Sequence, residues 1–245
     1  MSISTIPQPF YLLSTFVLIV QAVVGVDPLF HFCSSTNNFT ANGPYDNNLN
    51  KLTSYLASQT PPTGFSDDSF GQKPDKVYGL ALCRGDVASS DCKTCVVDAT
   101  DGIRQRCPYN KGAVIWYDNC LLKNSEFDFL GQIDDENKFY MWNTRVVNDS
   151  TSFNAKTKEL LTRLAKEAYM TPKLYAAGEL VRDASAKQLL YGLVQCTRDL
   201  NSLACKECLD GIIGELPSCC DGKEGGRVIS GSCNFRYEIY PFVNA

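Results

Sequence analysis

The sequence predicts an α+β protein of two tandem disulfide-stapled domains, each with two helices laid on an antiparallel sheet. Three observations lead there. One cysteine pattern occurs twice at a fixed offset, each copy holds two stretches with helical apolar spacing, and short β-rich runs surround those stretches.

The repeat is the firmest of the three. Cys83, Cys92 and Cys95 form C-x8-C-x2-C, and Cys196, Cys205 and Cys208 form it again, 113 residues on (196 − 83). The same offset carries Tyr78-Gly79-Leu80 onto Tyr191-Gly192-Leu193, Cys107 onto Cys220 and Cys120 onto Cys233. A unit of this length is too long for a solenoid repeat, so each copy is expected to own a core. The expected domains are residues 27–132 and 138–245.

Within the first copy, Leu49, Leu52, Tyr55 and Leu56 give residues 45–59 a helical stripe, and Leu160, Leu161, Leu164 and Ala168 repeat it in the second. A second helix follows each C-x8-C-x2-C. Its apolar face is Val96, Ala99 and Ile103 in one copy and Leu209, Ile212, Ile213 and Leu216 in the other, where Pro217 helps to end it. Ala113–Tyr117 and Arg227–Ser230 read as strands before the last cysteine of each copy, and Phe235–Phe242 is rich in aromatic and β-branched residues.

Composition narrows the function. The chain has 245 residues, 44% apolar and 20% charged, enough apolar material for a core. Its net charge of −4, without a basic block, argues against nucleic acid as a partner. Twelve cysteines point to an oxidising compartment, and the lone His31 excludes His-pair zinc sites. Residues 1–25 read as a secretory signal peptide: an apolar run from Phe10 to Val20, small residues near Gly25, then Asp27-Pro28. No second apolar segment is long enough for a membrane span. Asn38-Phe39-Thr40 and Asn148-Asp149-Ser150 are glycosylation sequons. The mature protein is therefore expected to be secreted, extracellular and free of cofactors or metal. Spacing leaves the disulfide pairing open, since six cysteines allow 15 connectivities.

The doubled C-x8-C-x2-C, the Tyr-Gly-Leu lead-in and the run Cys219-Cys220-Asp221-Gly222-Lys223-Glu224-Gly225-Gly226-Arg227-Val228 resemble plant cysteine-rich repeat secretory proteins. Their module is the ginkbilobin-homologous, or salt-stress/antifungal, domain. The resemblance implies two helices on a five-stranded antiparallel sheet. It implies the pairs Cys33–Cys107, Cys83–Cys92 and Cys95–Cys120, then Cys196–Cys205 and Cys208–Cys233. In the second copy Trp142 stands at the place of the first cysteine, which leaves Cys219 and Cys220 to form a vicinal disulfide or stay free.

The resemblance also implies a mannose site. Ginkbilobin uses an Asn just after its first cysteine, an Arg six residues before its last and a Glu five residues after that. In the second copy these positions are Asn143, Arg227 and Glu238; in the first they are Ser34, Val114 and Ser125, so no such site is expected there. The chemistry suits a hexose: Glu accepts, Arg donates from a rigid fork, and Asn does both. If Gly231-Ser232 is a two-residue hairpin turn, Arg227 faces Arg236 and Glu238 lies diagonal to Arg227 on one sheet face.

Other features receive plainer readings. Asp134-Asp135-Glu136 is a solvated linker rather than a calcium ligand set. Trp116 and Tyr117 offer a sugar-stacking platform, although strand alternation makes one of them core. The C-x-x-C pairs Cys92/Cys95 and Cys205/Cys208 have oxidoreductase spacing, but the repeat locks them in separate bridges. The expected function is a secreted, apoplastic, mannose-type defence or antifungal lectin without enzyme activity. The alternative is a secreted protein-interaction module in signalling or stress response, which an exposed apolar patch away from the domain seam would favour. The partner classes are mannose or mannan-type glycans, cell-surface receptors or apoplastic proteins, and a second copy of the chain.

Overall fold

The computed structural model describes residues 27–34, 37–183 and 188–244, so the expected signal peptide lies outside the described residues. Helix α1 (Pro44–Thr63) starts on Pro44, whose fixed φ suits a first helical turn, and it buries Leu49, Leu52 and Leu56 on one stripe. Helix α2 (Ser89–Arg106) buries Cys92, Cys95, Val96, Ala99 and Ile103. Both lie on a sheet of β1 (Phe30–Cys33), β2 (Phe65–Phe70), β3 (Val77–Cys83), β4 (Ala113–Trp116) and β5 (Cys120–Ser125), ordered β1-β4-β5-β3-β2 with every pair antiparallel.

The second domain repeats the plan. Strands β6 (Phe139–Trp142), β7 (Tyr175–Asp183), β8 (Gln188–Cys196), β9 (Gly226–Ile229) and β10 (Cys233–Glu238) run in the order β6-β9-β10-β8-β7. Helix α3 (Ser150–Tyr169) is capped by Asp149, which accepts the Ser152 N–H. Helix α4 (Ser202–Gly214) is capped by Asn201, which accepts the Ala204 N–H. Pro217 does not terminate α4. The helix closes at Gly214, and Pro217 instead stands in the first turn of a short α5 (Leu216–Cys219), where its missing N–H costs nothing. The aromatic run through Phe242 likewise outlasts its strand, since β10 ends at Glu238.

The Tyr-Gly-Leu motif has a packing reason. A Cβ on Gly79 would meet Leu52 Cδ2 at 2.7 Å, and one on Gly192 would meet Leu164 Cδ1 at 2.9 Å, so glycine lets the first helix of each domain approach the sheet. The disulfides are Cys33–Cys107, Cys83–Cys92, Cys95–Cys120, Cys196–Cys205, Cys208–Cys233 and Cys219–Cys220, leaving no free thiol. A bridge typically contributes about 2–4 kcal/mol, much of the stability of domains this small.

Each domain has its own core between helices and sheet. A third cluster, made of Leu80, Val114, Trp116, Leu121, Phe139 and Ile229, joins the sheet faces that the helices leave uncovered. Alternation along β4 explains it: Ala113 and Ile115 enter the first core, Val114 and Trp116 the seam. The expected stacking platform is therefore absent. Trp116 is 3% exposed and donates from Nε1 to Ser230 O, while Tyr117 is buried on the helix side. The acidic run is solvated at Asp135 and Glu136 but not at its first residue. Asp134 is not solvated but mostly buried, paired with Lys123 Nζ at 2.5 Å, because the linker lies against the outer face of the first sheet.

Candidate functional site

The three candidate residues come from neighbouring strands of the second sheet. On the edge, β6 pairs with β9 so that Met141 faces Arg227 and Trp142 faces Gly226. One step further, the Asn143 N–H donates to Gly225 O at 2.9 Å. In the first domain Cys33 faces Ala113, and the Ser34 N–H donates to Gly112 O at 2.7 Å. Trp142 thus stands where Cys33 stands, and Asn143 where Ser34 stands. On its other side β9 pairs with β10, with Arg227 opposite Arg236 and Gly226 opposite Tyr237. Continuing that register sets Asn143, Gly225 and Glu238 in one row across three strands, with Arg227 diagonal to Glu238.

Gly225 is the member of this row that sequence reasoning missed. A Cβ there would overlap Glu238 Oε2, so the carboxylate occupies the space that glycine leaves. Glu238 is only 7% exposed. Its Oε1 accepts from Arg236 Nε at 3.1 Å, and its buried Oε2 has no protein partner. A buried acceptor left unpaired is costly, which marks a place where a hydroxyl donor is wanted. The signal for Gly225 was present in the repeat: Gly112 precedes it by the same 113 residues.

Arg227 and Glu238 do not bond to each other. Arg227 Nη1 reaches across the seam to Asp118 Oδ1 at 2.5 Å. Burial and the like charge of Arg236 push the Arg227 pKa down, while Asp118 and Glu238 work against that. Burial disfavours the Asp118 anion, but the hydrogen bond and charge of Arg227, with Arg236 and Arg84, outweigh it and hold the carboxyl below its ordinary range. Nothing in the sequence flagged Asp118, which lies 109 residues from its partner. The Asn143 side chain turns back locally, Oδ1 accepting the Arg145 N–H at 3.0 Å.

The counterparts in the first copy are dispersed in role. Val114 is buried in the seam, while Ser34 and Ser125 line a groove of that domain. Both sequon asparagines, Asn38 and Asn148, are exposed. Among the described residues no cluster of His, Cys, Asp and Glu is placed to hold a metal, and no helix is long and apolar enough to cross a membrane.

The model of the salt stress response/antifungal family matches residues 32–126 and 142–240, once over each domain. The chain belongs to this family. It is 58% identical over 236 residues to an antimicrobial ginkbilobin-2-like protein of Castanea crenata, covering 96% of each chain. It is 57% identical over 218 residues to cysteine-rich repeat secretory protein 38 of Arabidopsis thaliana, covering 88% of this chain and 85% of that one. Among solved structures, the tandem DUF26 ectodomain of the Arabidopsis thaliana cysteine-rich receptor-like protein PDLP8 superposes with a TM-score of 0.76 at 25% identity, covering 87% of this chain and 98% of that one. The fold is thus that of tandem DUF26 ectodomains, and the family is secretory and extracellular.

Proposed function

We propose that this protein is an extracellular, non-enzymatic carbohydrate-binding defence protein that holds a mannose-type hexose in its second domain. The observation that carries this reading is the buried, unpaired Glu238 Oε2, set in one row with Asn143 across the gap at Gly225. Glu238 accepts from one sugar hydroxyl. Asn143 Nδ2 donates to a neighbouring one, and Arg227 donates from the N–H groups that Asp118 does not use. The antimicrobial character of the Castanea crenata relative supports the defence role. The absence of a free thiol and the division of each C-x-x-C between separate bridges support a binding protein over an oxidoreductase.

With so few contacts, affinity for one sugar is expected at about 1 mM, raised by avidity on a mannan surface. The test is a calorimetric or NMR titration of the oxidised, secreted protein with mannose, galactose serving as control. Saturable binding that prefers mannose and disappears in Asn143→Ala and Arg227→Ala is expected. No binding at tens of millimolar, with any glycan at Asn148 removed, overturns the reading.

One observation favours the second reading, a protein-interaction module. Edge strand β6 leaves Tyr140, Met141 and Trp142 exposed, with Val146 just beyond. Such an edge offers backbone groups and apolar surface to an added strand. Loss of a protein partner in Trp142→Lys, with mannose binding absent throughout, would decide for it.

A further inference from the structure

We propose that the first domain carries a second saccharide site, differently built, which binds a short neutral oligosaccharide in the groove between its sheet and the linker to the second domain. The groove has a volume of about 570 Å³, inside the range of about 300–1,000 Å³ typical of small-molecule sites. Its floor is the end of β1, β4 and β5 on the face away from the helices, where Ser125 lies; its wall is the segment 126–137. By position it is the first copy's counterpart of the Asn143–Gly225–Glu238 row. The residues there have changed, so a ligand is read by other groups.

The walls are held in place. Lys123 Nζ pairs with Asp134 Oδ2 and sits 4.3 Å above the Phe129 ring. Asp134 Oδ1 accepts the Asn137 N–H and its Oδ2 the Asn137 side-chain amide at 2.8 Å. At the rim Glu126 takes Asn37 Nδ2 on one oxygen and Lys111 Nζ on the other. Both lysines are therefore neutralised within the protein, and a ligand meets hydrogen-bonding groups rather than free cations. The acids Asp135 and Glu136 at the mouth are exposed, which disfavours an anionic chain.

Phe127 supplies the other half of the argument. Its side chain borders this polar groove and is 68% exposed, an apolar ring that the fold itself does not use. A pyranose has an apolar C–H face and a rim of hydroxyls, so a bare aromatic ring beside a polar cleft matches it. The size of the groove suits more than one ring. Neither the groove nor Phe127 touches the second-domain row, so this site does not depend on mannose binding there. With both sites occupied, one chain would engage a polysaccharide bivalently.

The experiment uses the full, oxidised, deglycosylated mature chain, ¹⁵N-labelled and carrying Arg227→Ala to silence the second-domain row. Mannohexaose, cellohexaose and a galacturonate hexamer are titrated in. At least one neutral hexamer is expected to shift the amides of residues 125–132 saturably. Phe127→Ala, which alters an exposed residue, should weaken that binding about tenfold; Gln132 also lines the groove and is exposed, and Gln132→Ala is expected to weaken binding as well. Three results would overturn the proposal: no shifts in 125–132 with either neutral hexamer at tens of millimolar, shifts unaltered in both variants, or equal binding of the galacturonate hexamer. Shifts at Asn143 and Glu238 in the wild-type chain report on the second-domain reading alone, so the two can fail separately.

Discussion

Asp118 shows how much one exposed-looking side chain can be asked to do. It is the acidic partner of a mostly buried arginine, and its carboxyl is held below the ordinary carboxylate range. A depressed folded pKa contributes stability that is complete above the unfolded value of about 3.9 and lost as pH falls through the folded one. Asp86 and Asp134 shift in the same direction. The melting temperature is therefore expected to hold between neutral pH and about pH 5 and to fall below about pH 4, with a shallower acid limb in Asp118→Asn. An unchanged limb would remove Asp118 from the seam's electrostatics. At the proposed sugar site, Gly225→Ala is the sharpest single change. Its Cβ displaces the Glu238 carboxylate, so mannose binding should be lost while both domains stay folded, as titration and circular dichroism together would show. Such a glycine is only half legible in sequence. The repeat marks it as shared, but only the register shows that its missing side chain is the neighbour's room.

At the scale of elements, the helices were the most readable part. Their apolar stripes recur at helical spacing, and burial follows those stripes in α1 through α4. Apolar spacing carries Leu216 into the last turn of α4, yet it opens another turn after Glu215, because local periodicity does not register a single break. The glycines that admit the helices give a test. Gly192→Ala drives a Cβ against Leu160 and Leu164, and an overpacked contact of this kind costs about 1–3 kcal/mol, measurable by denaturant unfolding. The bridges should differ in worth by the loop they close. Cys95–Cys120 spans 25 residues and Cys219–Cys220 only one. Replacing the former pair by serine is expected to cost about 3 kcal/mol, and the latter markedly less.

The whole molecule behaves as two domains sharing a seam. Each sheet buries one face under its own helices and part of the other against its neighbour. Besides the Arg227–Asp118 pair, Trp116 Nε1 donates to Ser230 O and Gln195 Nε2 donates to Cys83 O across the seam. These contacts predict a single cooperative thermal transition for the full chain. Trp116→Ala should lower it by a core-sized amount, about 3–5 kcal/mol. Two separate transitions in the calorimeter for the unaltered chain would show that the seam is too weak to couple the domains.

The sequence by itself determined the duplication, the helices and strands β4, β9 and β10, because each is written in short-range spacing or repeated at one offset; the disulfide pairing came only from the family resemblance. Tertiary structure decided the rest. Val114 and Trp116 point away from their own core, and only a second sheet across the seam explains their burial. Asp134 reads as a solvated acid until Lys123 is found beneath it. Arg227 was named for a sugar, but the structure gives it Asp118 as its first partner. These outcomes depend on groups brought together from distant parts of the chain, and pairing at such range leaves no periodicity in the sequence to read.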